Sequence, residues 1–108
     1  MTTELWQEQS FIDEFGGHSP LVCAILKSFL ADLATAEQHL REASESRNIS
    51  DFKRHAHWIL GPAAQLHLLA LAECCRRMEA GDFTALSAFT ELVQQSRTLL
   101  EQYLSENC

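Results

Sequence analysis

The residue best placed to do chemistry in this sequence is His57, in the run Ala56-His57-Trp58-Ile59-Leu60-Gly61. On a helical wheel of about 100° per residue, with Phe52 at zero, Phe52, Ala56, Ile59, Ala63 and Leu66 fall within about 40° of one direction. That direction is the core. By the same arithmetic His57 falls near about 140°, out in solvent. Lys53 lies at about 100°, Leu60 at about 80°, Ala64 at about 120° and Gly61 at about 180°. Imidazole changes protonation state near neutral pH, so an exposed histidine can act as nucleophile, base or ligand. Here it stands on a ridge with a lysine one turn before it and small residues one turn after. Such a surround admits another protein's surface and lacks the concave pocket of a self-sufficient enzyme. Periodicity alone also fits a plain surface histidine.

Metal chemistry is not expected. His55 falls at about −60° and cannot share an ion with His57, since residues two apart on a helix do not face each other. The chain has neither an HExxH motif nor a histidine pair at i,i+4. Its cysteines are Cys23, Cys74, Cys75 and Cys108, and the adjacent pair lacks the spacing of a zinc motif. The opening Met-Thr-Thr-Glu-Leu-Trp has no basic segment leading into an apolar one, so no export is expected. A cytoplasmic chain keeps its thiols reduced. Cys23 and Cys75 then read as small buried hydrophobes and Cys108 as exposed.

The elements that must carry His57 are helices. Leu5, Trp6, Phe11, Ile12 and Phe15 form a short amphipathic segment ending at Gly16-Gly17. Ser19-Pro20 is a cap followed by a favoured first helical residue. Leu21, Ile25, Phe29, Leu33, Ala36 and Leu40 then predict a helix over about 20–46. Ser50 is the expected cap of the next helix, with Asp51 placed well against its dipole. Pro62 is expected to bend that helix without ending it, because apolar periodicity continues through Ala63 and Leu66. A third helix is expected near 68–80, with Leu71, Cys75 and Met78 inward and a stop at Gly81. Asp82 is the expected cap of a last helix over about 83–106, carrying Phe83, Leu86, Phe89, Val93, Leu100 and Leu104. Phe29, Phe52, Ile59 and Phe89 are expected in the core. The predicted architecture is all-α: an antiparallel up-and-down four-helix bundle, residues 1–108 as one domain, with the short N-terminal helix as a lid.

Composition agrees. The 108 residues are 46% hydrophobic with two prolines and four glycines, ordinary for one globular domain. The net charge of −7 disfavours nucleic acid and anionic membranes as partners. No apolar run approaches the roughly 20 residues of a membrane span. Four of the eight basic residues, Lys53, Arg54, Arg76 and Arg77, share one 25-residue window, which allows a local basic spot on an acidic body.

The run from Ala56 to Gly61, followed by Ala63-Ala64-Gln65-Leu66, Leu71, Cys75 and Met78-Glu79, resembles the histidine-containing phosphotransfer (Hpt) family. That family's motif is an alanine-histidine pair, an apolar pair, lysine and glycine, small residues, a leucine-glycine step and a closing apolar-acidic pair. The resemblance implies an antiparallel four-helix bundle with the histidine exposed in mid-helix. It implies that His57 accepts and donates a phosphoryl group, with Lys53, Leu60, Gly61 and Ala64 around it as the supporting and docking surface. It further implies response-regulator receiver domains as partners, a hybrid sensor kinase as a second class of partner, and no resident cofactor, with Mg²⁺ held by the receiver. The implied protein is a free-standing, monomeric, non-enzymatic carrier.

Three positions depart from the motif. Leu60 stands where the family has lysine, Pro62 where serine is common, and His67 where a second glycine closes the helix. Either Lys53, one turn before His57, replaces the missing charge, or the domain binds a receiver or kinase as a regulator without carrying phosphate.

Overall fold

A computed structural model describes residues 4–108. Five helices run in order: α1 (Glu8–Glu14), α2 (Pro20–Glu45), α3 (Ile49–Gln65), α4 (Leu69–Glu79) and α5 (Ala85–Asn107). Among the described residues there is no strand. As expected, α2 and α5 are the longest, and Phe29, Phe52, Ile59 and Phe89 are all buried. Helix α2 packs on α3, α3 on α4, α4 on α5 and α5 back on α2. No helix is long and apolar enough to cross a membrane among the described residues.

The buried stripe of α2 is Val22, Leu26, Phe29, Leu33, Ala36, Leu40 and Ala43. Leu21 is exposed, and Ile25 only packs partly against the core. The expected series is therefore out of phase in its first half, for a geometric reason. Repeated steps of four drift by about 40° each around the helix, whereas alternating steps of four and three hold one seam toward the neighbours.

Side-chain caps begin two of the helices, α2 and α3. Ser19 caps α2 as expected, its Oγ accepting from the Val22 amide at 3.4 Å, with Pro20 as the first helical residue. At α3 the cap is Asn48, not Ser50: Asn48 Oδ1 accepts from the Asp51 amide at 3.1 Å, so the helix starts one residue before the expected cap. Asp82 is not the cap of α5: its carboxylate accepts from the Thr84 amide at 3.0 Å and closes a turn, so the helix begins only at Ala85, behind Thr84, which makes no side-chain cap bond. Helix α3 continues through Pro62 to Gln65, as expected. His67 then takes a left-handed backbone, φ 62°, at the position where the family motif has glycine. Its Nε2 lies 2.8 Å from Glu14 Oε1, which ties the turn to α1.

The N-terminal segment crosses the same turn. Trp6 Nε1 donates to the Leu66 carbonyl at 2.9 Å and the Gln7 amide to the His67 carbonyl at 3.0 Å. The Trp6 ring meets Tyr103 edge-on at 5.9 Å.

One expectation is overturned. Cys23 and Cys108 are joined in a disulfide, so the four cysteines are not all free thiols, and Cys23 is a half-buried bridging residue rather than a buried hydrophobe. Their sequence separation of 85 hides a proximity that arises only because the end of α5 returns to the start of α2. Cys74 and Cys75 are free and buried.

Candidate functional site

Helix α3 presents one face to the core through Phe52, Ala56, Ile59 and Ala63, all fully buried. That burial fixes the opposite face in solvent. His57 lies there with 75% of its side chain exposed, as the wheel predicts. Its Nδ1 is 3.2 Å from Glu79 Oε1, on the last residue of α4. The second carboxylate oxygen, Glu79 Oε2, is buried with no hydrogen-bond partner. A buried, unpaired acceptor on a carboxylate is costly, so Glu79 interacts chiefly through the oxygen aimed at the imidazole. The ring nitrogen facing a carboxylate carries the proton, which leaves Nε2 as the outward, lone-pair nitrogen.

The expected companions of His57 fall into place unequally. Gly61 is exposed, and a Cβ built on it meets nothing within 4 Å. Nothing inside the chain requires glycine there, although glycine in a helix interior costs about 1 kcal/mol relative to alanine. Leu60 and Ala64 are half-buried and pack against the core, which makes them floor rather than projecting groups. Lys53 is exposed, and its Cε stands 3.1 Å from the position a Cβ on Gly81 would take. Gly81 has φ 98°, so its conformation and the lysine stem both exclude a larger residue. The stem is thus seated in the seam between α3 and the end of α4, where Glu79 also lies.

Two residues of the site escape sequence reasoning. Glu79 belongs to the apolar-acidic pair of the motif, yet only the packing of α4 on α3 brings it to His57. Arg76 lines a shallow depression with Leu60, Glu79 and Ala80. Of the four clustered basic residues, Arg54 pairs with Asp51 at 2.8 Å and Arg77 with Asp82 at 3.0 Å. Among the described residues Lys53 and Arg76 form no ion pair; Lys53 lies one turn before His57 and Arg76 on the rim it shares with Leu60 and Glu79. Helical spacing could have flagged Arg76, since it precedes Glu79 by one turn.

The other histidines are separate. His55 stacks on His39 with ring centroids 4.5 Å apart, in a depression shared with Thr35, Arg54 and Trp58. Burial, then the neighbouring His39 and Arg54, lower its pKa below the usual histidine value. Trp58 remains 48% exposed and extends an apolar surface from the histidine ridge toward α2. Far along the chain from His57, His18, Cys23 and Cys108 come together with their ligand atoms within 4.8 Å of one another, a grouping that local spacing does not reveal.

Compared with known proteins, the chain matches the family model described as Hpt domain over residues 24–106. No curated protein and no solved structure matches it.

Proposed function

Because this chain belongs to the Hpt domain family, we propose that it is a phosphoryl carrier in which His57 takes the group from one receiver-domain aspartate and delivers it to another. The observation that carries this reading is the contact of His57 Nδ1 with Glu79 Oε1 at 3.2 Å on an otherwise open ridge. In the forward step the Nε2 lone pair attacks the phosphorus of an aspartyl phosphate. The N–P bond forms as the P–O bond breaks, and the aspartate leaves as carboxylate. The proton stays on Nδ1, where the Glu79 carboxylate holds the ring in one orientation and offsets the positive charge that develops on it. The return step is the reverse, onto a second aspartate. Phosphoryl transfer depends mostly on in-line positioning and charge neutralisation, so the receiver and the Mg²⁺ it holds can supply what this surface lacks. No resident cofactor or metal is needed at His57, and the chain acts as a carrier rather than an enzyme.

Leu60 places an aliphatic side chain where the family has lysine. Lys53, seated against Gly81, and Arg76, beside Leu60, are the two cations that flank the acceptor in its place. Gly61 and Ala64 leave room for the partner to approach the ring. The cyclic packing of α2 to α5 and their short turns support an antiparallel up-and-down bundle. The bonds from Trp6 and Gln7 to the α3–α4 turn support α1 as its lid. On this reading residues 1–108 form one domain, a cytoplasmic monomer whose partners are receiver domains and a hybrid sensor kinase, with no role for nucleic acid or membrane.

The test is incubation with a radiolabelled phospho-receiver. Acid-labile label should appear on this chain and be absent from His57→Gln. A chain that binds receivers but never labels would establish the second reading, a regulator that docks without carrying phosphate, which the loss of the motif lysine at Leu60 favours.

A further inference from the structure

We propose that His18, Cys23 and Cys108 form a binding site for a thiophilic divalent metal ion of the zinc class once the Cys23–Cys108 disulfide is reduced. The three ligand atoms already lie within 4.8 Å of one another. In a tetrahedral zinc site, with bonds of about 2.3 Å to sulfur and about 2.0 Å to nitrogen, neighbouring ligand atoms stand roughly 3.5–3.8 Å apart. His18 Nε2 lies 3.8 Å from Cys23 Sγ, so that pair needs almost no adjustment. Only the Cys108 sulfur has to swing away from Cys23. Cys108 lies past the last residue of α5 and is exposed, where side-chain rotation meets little packing.

The orientation of His18 is a second observation in favour. Its Nδ1 is 2.6 Å from the Tyr103 hydroxyl, and Tyr103 is buried and set edge-on to Trp6. Metal-binding histidines commonly donate their other ring N–H to an oxygen, which fixes the tautomer and turns the remaining nitrogen to the ion. In the disulfide form Cys23 carries no S–H, so Nε2–H points at its sulfur and the Tyr103 hydroxyl donates to Nδ1; on metal binding the tautomer would switch, with Nδ1–H donating to Tyr103 and the Nε2 lone pair turned to the ion. A shallow depression lined by Pro20, Ala24, Lys27 and Asn107 opens beside the three residues, giving a solvent molecule access to the fourth position. Two thiolates and a divalent ion cancel in charge.

The chemistry balances with a dithiol as reductant. Its thiolate attacks Cys108 Sγ, the Cys23 sulfur leaves as thiolate, and the second thiol of the reductant closes its own disulfide. Two electrons and two protons pass to the protein. The metal ion then displaces both protons from the two thiols. Cys74 and Cys75 do not compete: both are buried, and burial pushes the Cys75 thiol up to about 12, which keeps it protonated and poor as a ligand.

The test is titration of the full chain, reduced and anaerobic, with Co²⁺ and then Zn²⁺. The reduced protein should take up one ion per chain, with thiolate-to-cobalt charge-transfer absorption and the intense visible bands of tetrahedral Co²⁺, both erased by Zn²⁺. The oxidised protein should show neither. Cys108→Ser and His18→Ala should each lower affinity by at least about a hundredfold, and Tyr103→Phe by about ten- to a hundredfold, the range for a partner that orients a ligand. Circular dichroism of each variant separates loss of the site from loss of the fold. Reduced wild-type protein without these bands, or bands that survive Cys108→Ser or vanish with Cys74→Ser/Cys75→Ser, would overturn the assignment.

Discussion

His57 and His18 are held in the same way and put to different use. In each, Nδ1 meets an oxygen from another element: Glu79 Oε1 at 3.2 Å for His57 and the Tyr103 hydroxyl at 2.6 Å for His18. In each, Nε2 is the nitrogen left to meet a second partner. At His57 the holder is a carboxylate, and the side chain stands 75% exposed on an open ridge. At His18 the holder is a neutral phenol, and Nε2 faces a sulfur at 3.8 Å. A negative holder stabilises the positive ring of an attacking nucleophile, whereas a neutral one favours an uncharged ligand. On the two proposals, the same scaffold device would serve transfer at one histidine and ligation at the other, according to charge and to what stands in front.

The largest effect expected separates the two outright. His57→Gln should remove all phosphoryl labelling from a phospho-receiver while leaving the thermal midpoint nearly unchanged, since an exposed side chain contributes little to stability. His18→Gln should leave labelling intact. Equal loss of label in both would break the distinction.

Next in size is the disulfide beside His18. It closes a loop spanning 85 residues, and cross-links of this kind contribute typically about 2–4 kcal/mol by restricting the unfolded chain. Denaturant unfolding of oxidised wild type should lie above reduced wild type by that amount, and Cys108→Ser should match the reduced protein under either condition. Phosphotransfer at His57 should be the same in both redox states. A coincident pair of unfolding curves would show that the bond does not form.

Glu79 tests the other half of the comparison. Glu79→Gln keeps the shape and removes the charge, and should slow transfer by about ten- to a hundredfold, the scale seen when the group orienting a histidine is lost. Receiver affinity should hold, because Glu79 faces the ring rather than the partner. Affinity falling in parallel with rate would make Glu79 a docking residue instead.

How much of this is legible in the sequence depends on whether one helix or two set the outcome. The exposure of His57 and the burial of Phe52 and Ile59 come from the period of α3 alone, and both hold. The persistence of α3 through Pro62 comes from apolar residues on each side of it. The start of α2 misleads because Leu21 and Ile25 are as apolar as Val22 and Leu26, and only packing against neighbouring helices selects one stripe. The cap of α3 falls at Asn48 rather than Ser50, and α5 starts past Asp82 with no side-chain cap, because several adjacent polar side chains compete for each turn. Glu79, Arg76 and the Cys23–Cys108 pair are illegible as partners, since each meets its counterpart only through contact between separate helices. His67 stands out as a departure from the motif, and its left-handed backbone shows what the departure costs: a strained conformation held by Glu14 and the Gln7 amide.

The smallest effects expected concern the charge that Leu60 no longer supplies. A single exposed cation beside a transferring phosphoryl group is screened by solvent and worth on the order of 1 kcal/mol or less, so its removal changes a rate by a few-fold. Two candidates are present. Lys53 stands one turn before His57 with its stem against Gly81, and Arg76 lies on the rim shared with Leu60 and Glu79. Arginine's planar fork can hold two phosphoryl oxygens at once, whereas lysine acts as a point charge. Arg76→Ala should therefore slow transfer more than Lys53→Ala, and the double variant more than either. Leu60→Lys should recover the rate in the double variant and add little to wild type. The measurement is single-turnover transfer from a labelled receiver at low and high salt, because the few-fold losses should shrink as ionic strength rises. If both alanine variants transfer like wild type while Leu60→Lys alone raises the rate strongly, neither cation has replaced the lysine, and the ridge around His57 is a docking face with weak chemistry.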